Sequence, residues 1–171
     1  ATVYAETDSK KINEESPLKP CNPYGESKLL VEKYLKKESI DTPSLKIAIL
    51  RYFNPVGADE SGLFGESPKG TPNNLMPYVF DVAVGKREEV SVYGNDYNTP
   101  DGTGVRDYIH VSDLVNGHLA ALNYIESRPG SHVFNLGTGK GHSVLEMIQS
   151  VREQTKKDVP YSIKARRKGD V

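Results

Sequence analysis

The feature that most constrains the fold is the apolar run KIAIL at residues 46–50, which follows the turn signal Asp41-Thr42-Pro43. A short unbroken apolar run between turn signals suits a strand buried in a parallel sheet. Upstream, Asn22-Pro23 opens a helix, since Asn can cap and Pro suits the first helical position. Leu30, Tyr34 and Leu35 follow at helical spacing, and the helix fades near Ser39. Ala1-Thr2-Val3-Tyr4 reads as the end of another buried strand. The order strand, helix, strand predicts an α/β sheet.

Further strands are predicted at residues 89–93, 108–111, 132–136 and 161–165. Helices are predicted from an Asn74 cap to about Val84, from a Ser112 cap to about Ser127, and from a Ser143 cap to about Thr155. Residues 5–22, 58–74 and 95–104 are polar loops, and a loop as long as the second is usually functional or a linker. The strands at 1–4, 46–50 and 132–136 are expected in one parallel sheet, with the helices after Pro23, Ser112 and Ser143 packed on it. The chain leaves that sheet at Gly57 and returns to it at His132.

Composition narrows the functions. The 22 Lys+Arg against 23 Asp+Glu leave a formal net charge of −1, which gives no overall electrostatic drive toward nucleic acid. No apolar run approaches the ~18 residues of a membrane span. Cys21 is the only cysteine, which excludes an internal disulfide and a Cys-cluster zinc site and fits a reducing compartment. The four histidines lack metal-ligand spacing, so no metal is expected and His110 reads as structural. There is no initiator Met or signal-like segment at the start, and no closing helix at the end. The sequence therefore reads as an internal piece of a longer protein.

Four segments carry candidate chemistry. In Tyr24-Gly25-Glu26-Ser27-Lys28, the first and last residues share a helix face. A tyrosine works as a general base near neutrality only with about 4 kcal/mol of preference for its phenolate, and a nearby ammonium acts in that direction. The same spacing also suits an exposed pair on a surface helix. RYFNPVGA (residues 51–58) leaves the carboxyl end of the buried strand, where open α/β sheets bind ligands. There Tyr52 and Phe53 can pack on a flat group and Asn54 offers an amide; an ordinary turn fits equally. Asn73-Asn74 stand at a helix start, suited to a phosphate, a sugar or plain capping. In DGTGVRDYIHVSD (residues 101–113), Arg106 can hold a diphosphate bidentately or make a structural pair with Asp107. Gly137-Thr138-Gly139-Lys140-Gly141 fits neither the dinucleotide nor the P-loop spacing and reads as a strand-to-helix turn.

ATVY, NPYGESK, AILRYFNPVGA, NNLMPY, VAVGKRE, VYGNDY, DGTGVRDYIHVSDL, VFNLGTGKG and RRKGD occur in an order that resembles the UDP-glucose 4-epimerase family, within the extended short-chain dehydrogenase/reductases. The resemblance covers essentially the whole chain. Tyr-x-x-x-Lys is common to the superfamily, whereas RYFNPVGA with PNNLMPY and DGTGVRDYIHV is far more specific. Ala5 departs from the family's usual Gly.

The resemblance implies a Rossmann-type parallel sheet, with residues 1–57 and 109–155 as the remainder of an NAD-binding domain. Residues 58–108 and 156–171 would form a smaller α/β cap that binds UDP-sugar. The strand–GxxGxxG–helix that holds NAD in the family, and a Ser or Thr catalytic partner, would precede Ala1. By the same resemblance, Tyr24 is the active-site base. Lys28 is its electrostatic partner and a contact to the nicotinamide ribose, and Tyr52 and Phe53 lie by the nicotinamide. Asn54, Asn74, Leu75, Ser91, Tyr93, Arg106, Arg167 and Asp170 fall where the family grips UDP-sugar.

The implied activity is NAD-dependent interconversion of UDP-galactose and UDP-glucose at sugar C4. It would be carried out by a cytoplasmic, homodimeric isomerase with no nucleic-acid or membrane partner. Two alternatives are another NAD-dependent UDP-sugar enzyme, such as a dehydratase or decarboxylase, and a non-catalytic nucleotide-sugar-binding fragment. Dehydratases more often carry Tyr-Gly-Pro after the Asn, so RYFNPVGA favours the epimerase. The 171 residues alone are expected neither to retain NAD nor to turn over.

Overall fold

The computed structural model describes residues 1–5 and 11–167. Its elements are α1 (Pro23–Asp41), β1 (Lys46–Tyr52), β2 (Asn54–Val56), α2 (Leu75–Ala83), β3 (Val90–Tyr93), β4 (Val105–His110), α3 (Val111–Ile125), β5 (Gly130–Leu136), β6 (Gly141–Ser143), α4 (Val144–Thr155) and β7 (Tyr161–Lys164). They form two compact units: Ala1–Pro55 with Ile109–Gly139, and Val56–Tyr108 with the chain from Lys140.

In the first unit, β1 and β5 pair in parallel, from Lys46 opposite Gly130 to Tyr52 opposite Leu136. The Phe53 N–H donates to the Leu136 carbonyl at 3.0 Å and carries the ladder one step further. Helices α1 and α3 pack on both strands, which is the Rossmann-type α/β layering expected from the sequence. Helix α1 begins where Pro23 takes the first position and the Asn22 side chain accepts from the Gly25 N–H at 2.8 Å. A Cβ at Gly25 would lie 2.5 Å from the Thr2 carbonyl oxygen, so only glycine lets the helix close on the first residues of the chain.

Two local expectations are corrected here. Residues 1–4 form a turn and not a sheet strand: the Tyr4 N–H donates to Ala1, and Tyr4 makes a single antiparallel bridge to Leu18. Val3 and Tyr4 are nevertheless buried. The cap of α3 is His110 and not Ser112, because the His110 Nδ1 accepts from the Ser112 N–H at 3.2 Å.

One polar network runs through this unit. Arg51 donates from Nε and Nη2 to the two Glu32 oxygens at 2.9 and 2.7 Å. Its Nη1 donates to the Tyr4 hydroxyl at 2.8 Å, and Tyr4 donates on to Asn135 Oδ1 at 2.5 Å. Arg51 and Glu32 are both buried, so this forked geometry is what makes their burial tolerable. The bond to Glu32 holds the Arg51 guanidinium proton above its ordinary strength of attachment.

The second unit closes on an apolar cluster of Val79, Val82 and Ala83 from α2, Val90 and Val92 from β3, Ile148 and Val151 from α4, and Val159. Strands β3 and β7 pair in parallel, Val90 opposite Tyr161. β4 pairs antiparallel with β6, so closely that a Cβ at Gly141 would meet Val105 Cγ1 at 2.5 Å. Helix α4 was expected on the first sheet; it packs instead on α2, and residues 140–155 group with this unit. The physical reason is that Ile148 and Val151, one turn apart, face the valines of α2 and β3. Its Ser143 start is as expected: the Ser143 hydroxyl accepts from the Glu146 N–H while the Glu146 carboxylate accepts from the Ser143 N–H, forming a capping box.

Candidate active site

In the first unit, Tyr24 stands in the first turn of α1, 65% exposed. One turn on, the Lys28 ammonium lies 5.0 Å from the centre of the Tyr24 ring. The helix thus presents a phenol and a cation together at an accessible face.

Tyr52 ends β1, and its hydroxyl lies 2.5 Å from Nε2 of His118 on α3. The His118 Nδ1 is 2.8 Å from the Leu114 carbonyl, which can only accept. In the neutral ring the proton therefore sits on Nδ1, and Tyr52 donates to Nε2. Phe53 is half-buried with its backbone tied to Leu136, and Asn54 is exposed at the start of β2. These three residues occupy the carboxyl end of a parallel strand, the ligand-binding edge of open α/β sheets.

No motif in the sequence marks His118 or Glu32, and RYFNPVGA, which opens on Arg51, does not show what Arg51 pairs with. Their partners lie far along the chain, and only the fold reveals them. Glu32 is one turn beyond Lys28, and Arg51 immediately precedes Tyr52. The ion pair therefore ties the helix that bears Tyr24 and Lys28 to the strand that ends on Tyr52.

In the second unit, Asn74 precedes α2 but makes no side-chain cap; its amide donates to Glu66 at 2.7 Å. Leu75 packs against the apolar cluster. Ser91 and Tyr93 share one face of β3, opposite the buried Val90 and Val92. The Arg167 guanidinium lies 4.9 Å from the Tyr93 ring centre, a cation–π contact. Arg106 stands on β4 opposite His142 of β6 and donates to the Val105 carbonyl at 2.9 Å. Asp170 lies outside the described residues. Tyr24 with Lys28 and Tyr93 with Arg167 are therefore brought together within their units. Among the described residues, no helix is long and apolar enough to cross a membrane, and no three His, Cys, Asp or Glu side chains gather to hold a metal.

A parallel strand pair with helices packed on it, and Tyr-x-x-x-Lys at the start of one of them, defines an α/β protein of the Rossmann type. The chain belongs to the NAD dependent epimerase/dehydratase family, which it matches over residues 1–137. It is similar to the UDP-glucose 4-epimerase of Dictyostelium discoideum, 54% identical over 172 aligned residues that take in 100% of this chain and 50% of that protein. Among solved structures, a UDP-glucose 4-epimerase from Bifidobacterium longum in complex with NAD+ and UDP superposes with a TM-score of 0.95 at 55% identity. One from Stenotrophomonas maltophila, with bound NAD and formylated UDP-arabinopyranose, superposes with a TM-score of 0.96 at 50% identity. Each superposition covers 100% of this chain and 51% of the other. The chain spans about half the length of the curated relatives it matches.

Proposed function

We propose that the chain forms part of a UDP-glucose 4-epimerase, which interconverts UDP-galactose and UDP-glucose by oxidation and re-reduction at sugar C4. The observation that carries this reading is the exposed Tyr24–Lys28 pair, in a chain half identical along its whole length to proteins of that name. In this reading the first unit belongs to an NAD-binding domain and the second to the part that binds UDP-sugar.

The residues present suit the reactive end of a dinucleotide. An exposed tyrosine and lysine share one helix face, and an aromatic residue, Tyr52, ends β1. A GxxGxxG turn for the diphosphate is not among the described residues. Bound NAD supplies the acceptor and donor of hydride at C4. Tyr24 Oη takes the proton of the sugar 4-hydroxyl during oxidation and returns it during reduction. Lys28 would serve as its electrostatic partner and bond the nicotinamide ribose. Tyr52 and Phe53 would line the nicotinamide end. Asn54, Asn74, Leu75, Ser91, Tyr93, Arg106, Arg167 and Asp170 hold the UDP-sugar, with Arg106 and Arg167 as the cations suited to its diphosphate. An anchored UDP lets the sugar turn and present its opposite face.

The resemblance carries a homodimer with it. Leu30, Val31 and Tyr34 of α1 are exposed and offer apolar surface that a second copy would cover. A free, exposed Cys21 suits a cytoplasmic setting.

The test is a coupled assay of UDP-galactose conversion with added NAD, on the complete enzyme that contains this chain, as wild type and as Tyr24→Phe. Tyr24→Phe is expected to lower turnover by at least ~10²-fold, with UDP affinity nearly unchanged. Near-normal turnover in that variant would remove Tyr24 from the mechanism. Light scattering of the same samples checks the dimer.

A further inference from the structure

The turn at residues 101–104 is pinned at several points, all within the second unit. Asp101 Oδ1 accepts from the Thr103 backbone N–H at 2.9 Å and from the Thr103 hydroxyl at 2.7 Å. Asp101 Oδ2 accepts from the Ser143 hydroxyl. The Gly104 carbonyl accepts from the Val144 N–H at 3.1 Å. Ser143 caps α4 and Val144 is its first residue, so a carboxylate joins the turn to a helix N-terminus, where the helix dipole favours negative charge.

The turn has little freedom left. Thr103 is fully buried and Ser143 nearly so. Gly102 has φ 76°, and a Cβ there would lie 2.2 Å from the Asn95 carbonyl oxygen. Shielded in this way, the cluster has no reactive group to offer; its effect lies in what it holds. The chain runs from it directly into β4, whose second residue is Arg106. That strand pairs with β6, whose last residue is Ser143 itself, opposite Val105.

We propose that Asp101, acting through Thr103 and Ser143, is a positioning residue that presets Arg106 for a nucleotide diphosphate. The proposal rests on the reading of Arg106 given above. A guanidinium that clamps a phosphate must give up conformational freedom, and fixing the backbone that carries it beforehand lowers that cost. A carboxylate with three protein donors, two of them hydroxyls, is a firm anchor because hydrogen bonds to a charged group are stronger than neutral ones.

The test is a double-mutant cycle on the full chain. UDP affinity is read by titration calorimetry well below each variant's melting temperature. Arg106→Ala is expected to weaken UDP binding by about 100-fold and Asp101→Ala by about 10-fold. Adding Asp101→Ala to Arg106→Ala should cost nothing further, since an effect transmitted through one residue vanishes when that residue is gone. Asp101→Asn keeps the shape and the acceptor for Thr103, so it provides a folded variant if Asp101→Ala is too unstable; it should lose about 3-fold. Two results overturn the proposal while leaving the grip on UDP in place. In one, Asp101 variants melt lower but bind UDP as the wild type does; in the other, the two single effects simply add. An Arg106→Ala chain with wild-type UDP affinity is a different result, and it removes the diphosphate role of Arg106 and the proposal together.

Discussion

The second unit closes on a cluster of buried aliphatic side chains, Val79, Val90, Val92, Ile148 and Val159 among them. The first unit sets a charged pair, Arg51 and Glu32, where its helix meets its strand, and turns Leu30, Val31 and Tyr34 outward. The two solutions fail differently. An apolar cluster loses stability in proportion to what is removed and tolerates changes of similar volume. A buried ion pair depends on both members and on their geometry, so half of it is worse than none. The unit that carries Tyr24 and Lys28 therefore trades tolerance for a fixed angle between α1 and β1.

The sharpest way to break this contrast is Glu32→Leu, which strands the Arg51 guanidinium in the interior. It is expected to cost about 3–5 kcal/mol in urea unfolding, and Glu32→Leu with Arg51→Met should recover most of that loss. If the single and double variants are equally unstable, the pair is not what joins the helix to the strand. Next in size is Ile148→Ala in the second unit, with a loss of about 3 kcal/mol, while Ile148→Val should lose about 1. A graded series there against the all-or-none response at Glu32 is the comparison in its measurable form.

The smallest effect expected is with acid. Burial raises the affinity of Asp101 for its proton, but the bonds from Ser143 and Thr103 outweigh it and hold the carboxyl below the usual range. The Ser162 hydroxyl does the same for Glu89, and Arg166 for Asp96. Groups lowered by folding stabilise fully above the ordinary carboxylate range of about 4, and that contribution is lost as pH falls through their folded values. Urea midpoints at decreasing pH should therefore fall for the wild type, and fall less steeply for Asp101→Asn. A variant that follows the wild-type curve would show that Asp101 takes no part in the acid response.

What could be read from the sequence was what neighbouring residues decide between themselves. KIAIL, apolar after its lysine, became most of β1, and the Ser143 cap became the start of α4. Tyr24 and Lys28 share a helix face because four residues is about one helical turn. What depended on distant residues was hidden. Ala1-Thr2-Val3-Tyr4 has the composition of a strand, but Tyr4 bonds back to Ala1 and bridges to Leu18, and among its backbone groups only the Ala1 nitrogen reaches β1, at the Tyr52 carbonyl. The apolar stripe of α4 shows that it is buried without showing on what, and α2 took the place assigned to the sheet. Arg51 sits in a strand and Glu32 in a lysine-rich helix, and neither residue announces the other.

The β1–β5 ladder has a consequence for the order of events in time. Its two strands are adjacent in space but separated in the chain by residues 53–129, which include most of the second unit and all of α3. Before the first bond between Lys46 and Gly130 can form, that long intervening stretch must be drawn into a loop, at an entropic cost that rises with its length. Contacts this remote in sequence slow folding. During synthesis, β1 emerges well before its partner exists. The Tyr52–Asn54 edge is thus completed late, and for that interval KIAIL is an apolar strand without its neighbour.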